Sequence, residues 1–232
     1  MARAFKSTPK GFTADLEKAE RRLLRTLFAD VIQLLDAEEQ PRLEGQPAGA
    51  PEDPFWDIVA GLGPFGATFV ATEGEAGSGG ADDGPVPSEA AAPPHRQAPP
   101  DEALARLLPP GVHGDTPAEQ AAAGEFRALT EDSVRRSKTA DLQRAVAALQ
   151  VNPLVLEEAE AVSFSRALND VRLVLSARLG IDSEEDAERV HTVDDWSAAT
   201  DVESYMALLY NFTTWLLETL MLALTTQLPE AP

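Results

Sequence analysis

The stretch that most constrains this chain runs from Tyr205 to Thr225, 21 residues carrying one charge, Glu218. That is close to the ~20 residues a helix needs to cross a bilayer. Asn211, Thr213, Thr214 and Thr219 interrupt it, however, and residues 201–232 contain no Lys or Arg. A spanning helix normally carries basic residues on its cytoplasmic flank. The stretch is therefore read as a helix buried in a bundle, with no membrane contact, and it needs other apolar faces to cover it.

Those faces are present. From Thr13, taken as an N-cap, to about Glu39, the residues Leu16, Leu23, Leu24, Leu27, Phe28, Val31, Ile32, Leu34 and Leu35 recur at helical spacing, and Pro41 stops the pattern. Glu157 to Leu179 repeats it through Phe164, Leu168, Val171, Val174 and Leu175, with Gly180 placed as a C′ residue. Between them, helices are expected over Glu102–Leu108, over Pro117–Leu129, and from Thr130 as N-cap to about Gln150. Asn152-Pro153 punctuates the chain, and Leu154-Val155-Leu156 suits a very short strand. Residues 182–195 read as an acidic linker with a helical turn, and a last helix is expected over 202–227. At the N-terminus, Phe5 and Phe12 flank Thr8-Pro9-Lys10-Gly11, a turn sequence that suits a β-hairpin. The expected fold is all-α (mainly α), a bundle of five to seven helices with a small N-terminal hairpin.

One segment breaks the pattern. Residues 71–100 hold five Gly and six Pro, no aromatic residue, and only Val86 among branched aliphatics. Such a stretch buries too little apolar surface to offset its ordering entropy, so a disordered loop is expected there. The apolar run Asp53–Gly63 before it suits a short helix but is too small to fold alone. Residues 1–232 are thus read as one domain with an internal loop.

Several chemistries are disfavoured. The chain has no cysteine, which removes disulfides, thiolate metal sites and thiol nucleophiles. Gly61-x-Gly63-x-x-Gly66 fits the dinucleotide fingerprint in letters, but no strand precedes it and Pro64 sits inside it. Asp182-x-Glu184-x-Asp186 begins like a calcium loop, yet Ala187 and Val193 occupy the positions that need Gly and Glu. His95, His113 and His191 are scattered without ligand partners at helical spacing. No nucleophile elbow or phosphate loop is present. A non-enzymatic protein without cofactor or metal is expected.

Charged residues inside apolar patterns are more informative, because an isolated buried charge needs a partner. Glu20 falls among Leu16, Leu23, Leu24 and Leu27. Arg178 lies in the Phe164–Leu175 stripe, and Lys138 lies among Val134, Leu142, Ala145 and Leu149. These residues, with Asn169, Asp170 and Arg172, are expected to form a structural polar network in which Glu20 pairs with Arg172 or Arg178. Overall the chain is acidic, 19 Lys+Arg against 39 Asp+Glu, a net charge of −20. Residues 1–25 run the other way: Arg3, Lys6, Lys10, Lys18, Arg21, Arg22 and Arg25 against Asp15, Glu17 and Glu20 give +4. This basic arm is expected to lie on the protein's own acidic body, with nucleic acid or an acidic partner surface as the other candidates. Bulk charge disfavours nonspecific nucleic-acid binding. Met1–Phe12 lacks an apolar run behind its three positive charges, so no secretory signal is expected and the cytoplasm is the expected location.

Several segments, in order, carry a family resemblance. They are Leu107-Leu108-Pro109, the run Glu125-Phe126-Arg127-Ala128-Leu129-Thr130-Glu131 with Lys138, and Ala167-Leu168-Asn169-Asp170-Val171-Arg172-Leu173-Val174-Leu175 leading into Arg178-Leu179-Gly180-Ile181. Gly11-Phe12 before a helix with Glu20, and Asp53-Pro54 before the run ending at Gly63, extend the pattern over about 1–66 and 103–226. In this the chain resembles the actinobacterial AosR family. The resemblance implies a cytoplasmic helical protein and an oxidation-sensing transcriptional regulator acting with RNA polymerase sigma factors. The family's sensing uses a cysteine pair near the N-terminus; with no cysteine, this chain is incapable of thiol–disulfide sensing. Val112 also stands where the family tends to have an aromatic residue. Two readings follow: a transcription-linked regulator that binds RNA polymerase or a sigma factor, with DNA contact left open, or a helical partner-binding module associated with protein turnover and without a DNA role.

Overall fold

The computed structural model describes residues 2–36, 96–112, 116–197 and 199–226. The whole of the helix expected over 53–63, the Gly-x-Gly-x-x-Gly run, His95, His113 and all but the last five residues of the expected loop lie outside them. Strands β1 (Arg3–Thr8) and β2 (Gly11–Asp15) form the expected antiparallel hairpin, and β3 (Leu154–Leu156) adds to β2 in the order β1-β2-β3. The helices are α1 (Lys18–Asp36), α2 (Glu102–Leu107), α3 (Pro117–Ala148), α4 (Glu158–Arg178), α5 (Glu184–His191) and α6 (Val202–Thr225). The mainly helical bundle with a small sheet is thus as the sequence led us to expect.

The hairpin holds because its residues alternate. Phe12 and Ala14 are buried, while Thr13 sits between them opposite Lys6 and Val155. Thr13 is therefore a strand residue and not a helix cap; α1 begins only at Lys18. At the turn Gly11 has φ +114°, and a β-carbon there would stand 2.3 Å from the Leu156 carbonyl oxygen. Only glycine allows β3 to approach so closely.

Helix α4 is the centre of the bundle, packed by α2, α3 and α6. Its Phe164 meets Phe28 of α1 and Phe5 of β1 edge-on, with centroids 5.6 and 6.0 Å away. Capping matches the sequence signals. Thr116 with Glu119 and Ser183 with Asp186 form capping boxes on α3 and α5. Gly180 at φ +60° ends α4, with Ile181 N–H donating to Ser176 C=O and Gly180 N–H to Ala177 C=O, a Schellman motif.

The expected break at Leu129-Thr130 does not occur, and α3 runs unbroken from Pro117 to Ala148. Thr130 donates its hydroxyl to the Phe126 carbonyl (2.8 Å), the mid-helix alternative to capping. Helix α6 is long and apolar enough to cross a membrane, and half of its apolar window is buried. Met206, Leu209, Leu216 and Leu220 line the bundle core, as the reading of a buried helix requires.

Candidate functional site

Positions 127, 131, 135, 138 and 141 of α3 advance by steps of four, four, three and three, which places them on one helix face. The bundle buries that face, so α3 faces inward with charge over half its length. Glu131, 4% exposed, is the hub. It accepts from Arg127 Nη1 (3.0 Å) and from Arg135 Nε and Nη2 (3.0 and 2.8 Å), and Arg96 Nε lies 3.3 Å away. The arginines also reach helix ends. Arg135 Nη1 donates to Leu35 C=O at the end of α1 (2.6 Å), and Arg127 Nη1 donates to Leu108 C=O just after α2 (3.0 Å). One carboxylate thus balances guanidinium groups that satisfy otherwise orphaned helix-terminal carbonyls.

Further along the seam Lys138 Nζ donates to Asp170 Oδ1 of α4 (2.6 Å). Asp141 is buried beside them and takes Arg144 at 2.8 Å and Arg166 at 3.6 Å. Burial raises the Asp170 pKa; the Lys138 charge and hydrogen bond oppose the shift, and Asp141 adds to it.

Of the expected network, Lys138 and Asp170 come together and the rest do not. Glu20 pairs with neither Arg172 nor Arg178. It lies in the first turn of α1, where Oε2 accepts the Glu17 N–H (2.8 Å) and Oε1 the Ala2 N–H (2.7 Å). Its lone pairs are met by backbone, so no guanidinium is needed. Arg172 donates to Thr214 Oγ1 (2.9 Å) and covers the Tyr210 ring at 5.6 Å, bridging α4 to α6. Arg178 pairs with Asp101 at 2.9 Å, the residue that caps α2. Asn169 is exposed on the outer side of α4.

The basic residues form no separate arm. Arg3 and Lys6 stand on β1, Lys10 on the turn, and Lys18, Arg21, Arg22 and Arg25 on α1. All but the half-buried Arg21 are exposed. Among the described residues none of the seven forms an ion pair with a carboxylate. The sequence reading missed Glu131, Arg127, Arg135 and Asp141 as network members. The i,i+4 run Arg127/Glu131/Arg135 was the signal available.

An open depression of about 600 Å³ lies beside the hub, lined in part by Arg96, Pro110, Val112, Gly124 and Arg127. Both of its arginines face Glu131. Among the described residues no group of three or more His, Asp or Glu is placed to hold a metal ion. Large apolar side chains instead face solvent on two helices: Phe126, Leu129 and Val134 on α3, and Trp215, Met221 and Leu222 on α6.

These features define a class, a helical bundle with a charged internal seam and apolar outer faces. More particularly, the chain belongs to the family described as Domain of unknown function (DUF2017), whose model matches residues 2–224. Neither a curated protein nor a solved structure matches it.

Proposed function

We propose that this is a non-enzymatic, transcription-linked regulatory protein that acts in the cytoplasm through contacts with another protein, RNA polymerase or a sigma factor, as its resemblance to the AosR family implies. The observation that carries the protein-contact part is the solvent exposure of large apolar side chains on α3 and α6, with Leu129 75% and Leu222 67% exposed in a chain of net charge −20. Acidic proteins stay soluble through charge and expose such residues together where a partner covers them. The buried charged side chains support the same reading, because they hold helix ends and one another.

Affinity capture of the tagged protein from native lysate, followed by mass spectrometry at low and moderate salt, tests it. Recovery of polymerase or a sigma factor in stoichiometric amount is the expected result. Recovery of protease or adaptor components in their place refutes it in favour of the turnover-associated module. A DNA role predicts steeply salt-dependent binding that neutralising Arg21, Arg22 and Arg25 abolishes.

A further inference from the structure

We infer that the exposed face of α6, bordered by strand β1, is a docking site for an acidic, apolar helical segment of a partner protein; this rests on the reading that the protein works through protein contacts. Trp215 and Leu222 lie about 20° apart around the helix at 100° per residue and are 36% and 67% exposed. Phe212 stacks on Trp215, with centroids 6.3 Å apart and planes at 27°, so the indole is held in place before anything binds. A pre-set aromatic anchor of this kind loses little freedom on association. Phe212, Trp215 and Leu222 span about 15 Å along α6, enough to receive three anchors of an amphipathic helix.

Charge selects the partner. The Phe5 N–H of β1 donates to Thr219 Oγ1 (3.3 Å), and Thr219 lies about 40° around α6 from Trp215. The strand bordering the apolar face is therefore the one that exposes Arg3 and Lys6, and among the described residues neither pairs with a carboxylate. In a chain of net charge −20, this places apolar surface beside two basic side chains that form no ion pair among the described residues, Arg3 across the ladder from Asp15 and Lys6 across from Thr13. Their complement is apolar and acidic. Glu218 lies about 60° around α6 from Trp215 on the side away from Thr219, so the face is basic along its β1 border and acidic along the other; a helix with acidic side chains turned toward β1 matches that polarity, and a uniformly anionic lipid surface does not.

The test uses the full chain and three 20-residue amphipathic helical peptides that share one leucine face and carry Glu, Gln or Lys on the polar face. The Glu peptide is expected to bind tightest, to move the Trp215 indole N–H resonance, and to lose about tenfold in affinity with Leu222→Ser, whose exposed site leaves thermal unfolding unchanged. Arg3→Glu with Lys6→Glu is expected to invert the peptide order. The inference is overturned if the Lys peptide binds as tightly as the Glu peptide, if saturating peptide leaves the Trp215 resonance in place, or if phosphatidylglycerol-containing vesicles bind in preference. A lysate partner captured equally by the native chain and by Leu222→Ser would also overturn it while leaving the protein-contact reading intact. Peptide binding as expected with no stoichiometric lysate partner would support the face and count against the regulator.

Discussion

Replacing Glu131 with Ala removes the carboxylate that Arg127 and Arg135 share among the described residues, and these arginines are 8% and 3% exposed. Arg96 is partly exposed and also pairs with Asp132, so it has somewhere to go. The other two are deeply buried, and each is also fixed to a helix-end carbonyl, at Leu108 and at Leu35. Breaking a buried ion pair from one side costs about 3–5 kcal/mol, because the remaining charge stays desolvated. For a chain of this length each kcal/mol moves the melting temperature by ~2–4 °C, so a fall on the order of 10 °C is expected. Urea unfolding followed by far-UV circular dichroism gives the free-energy difference. Glu131→Gln keeps the volume and one acceptor, and should recover only the hydrogen-bonding part, about 1 kcal/mol. Salt supplies the refutation. Buried pairs are screened little, so the loss should be the same at low and high ionic strength. A cost below about 1 kcal/mol, or one that vanishes in salt, would mean that the arginines reach water and that the hub behaves as a surface pair.

Three further outcomes are expected. Asp170 has its pKa raised in the folded state, so its contribution to stability is fully present below the unfolded value, 3.8, and is lost as pH rises through the folded value. Stability against pH should show this decline in the native chain, and Asp170→Asn should flatten it; an unchanged slope would contradict the burial described. Gly11→Ala should destabilise by at least ~1–3 kcal/mol in urea unfolding, since φ +114° is strained for alanine and the added carbon meets the Leu156 carbonyl. Phe164→Ala, at the meeting point of Phe5 and Phe28, should cost about 3–5 kcal/mol by the same assay.

The parts of the fold that were legible in the sequence are those with strong local chemistry. The Thr8–Gly11 turn, the apolar periodicity of α4 and its Gly180 stop each follow from nearest neighbours along the chain. The continuity of α3 did not, because Thr130 is as good a cap in sequence as it is a mid-helix residue that returns its hydroxyl to Phe126. The start of α1 was misplaced for a related reason: Phe12 and Ala14 alternate with Thr13, and that two-residue period is too short to outweigh the helical pattern that follows. Pairing was the hardest part. Lys138 meets Asp170 across 32 positions, and Arg135 reaches Leu35 across 100. Glu20 was misread because a carboxylate in a first helical turn is satisfied by backbone N–H groups, and no distant arginine is required.

The arrangement around Glu131 also ties together parts of the chain that are far apart in sequence. Arg135 holds the Leu35 carbonyl, Arg127 holds the Leu108 carbonyl, and Arg96 stands on the same carboxylate. The ends of α1 and α2 therefore share one electrostatic anchor on α3. Local opening of either helix end is coupled to the other through that carboxylate, so amides at both ends should lose hydrogen-exchange protection together when residue 131 is changed.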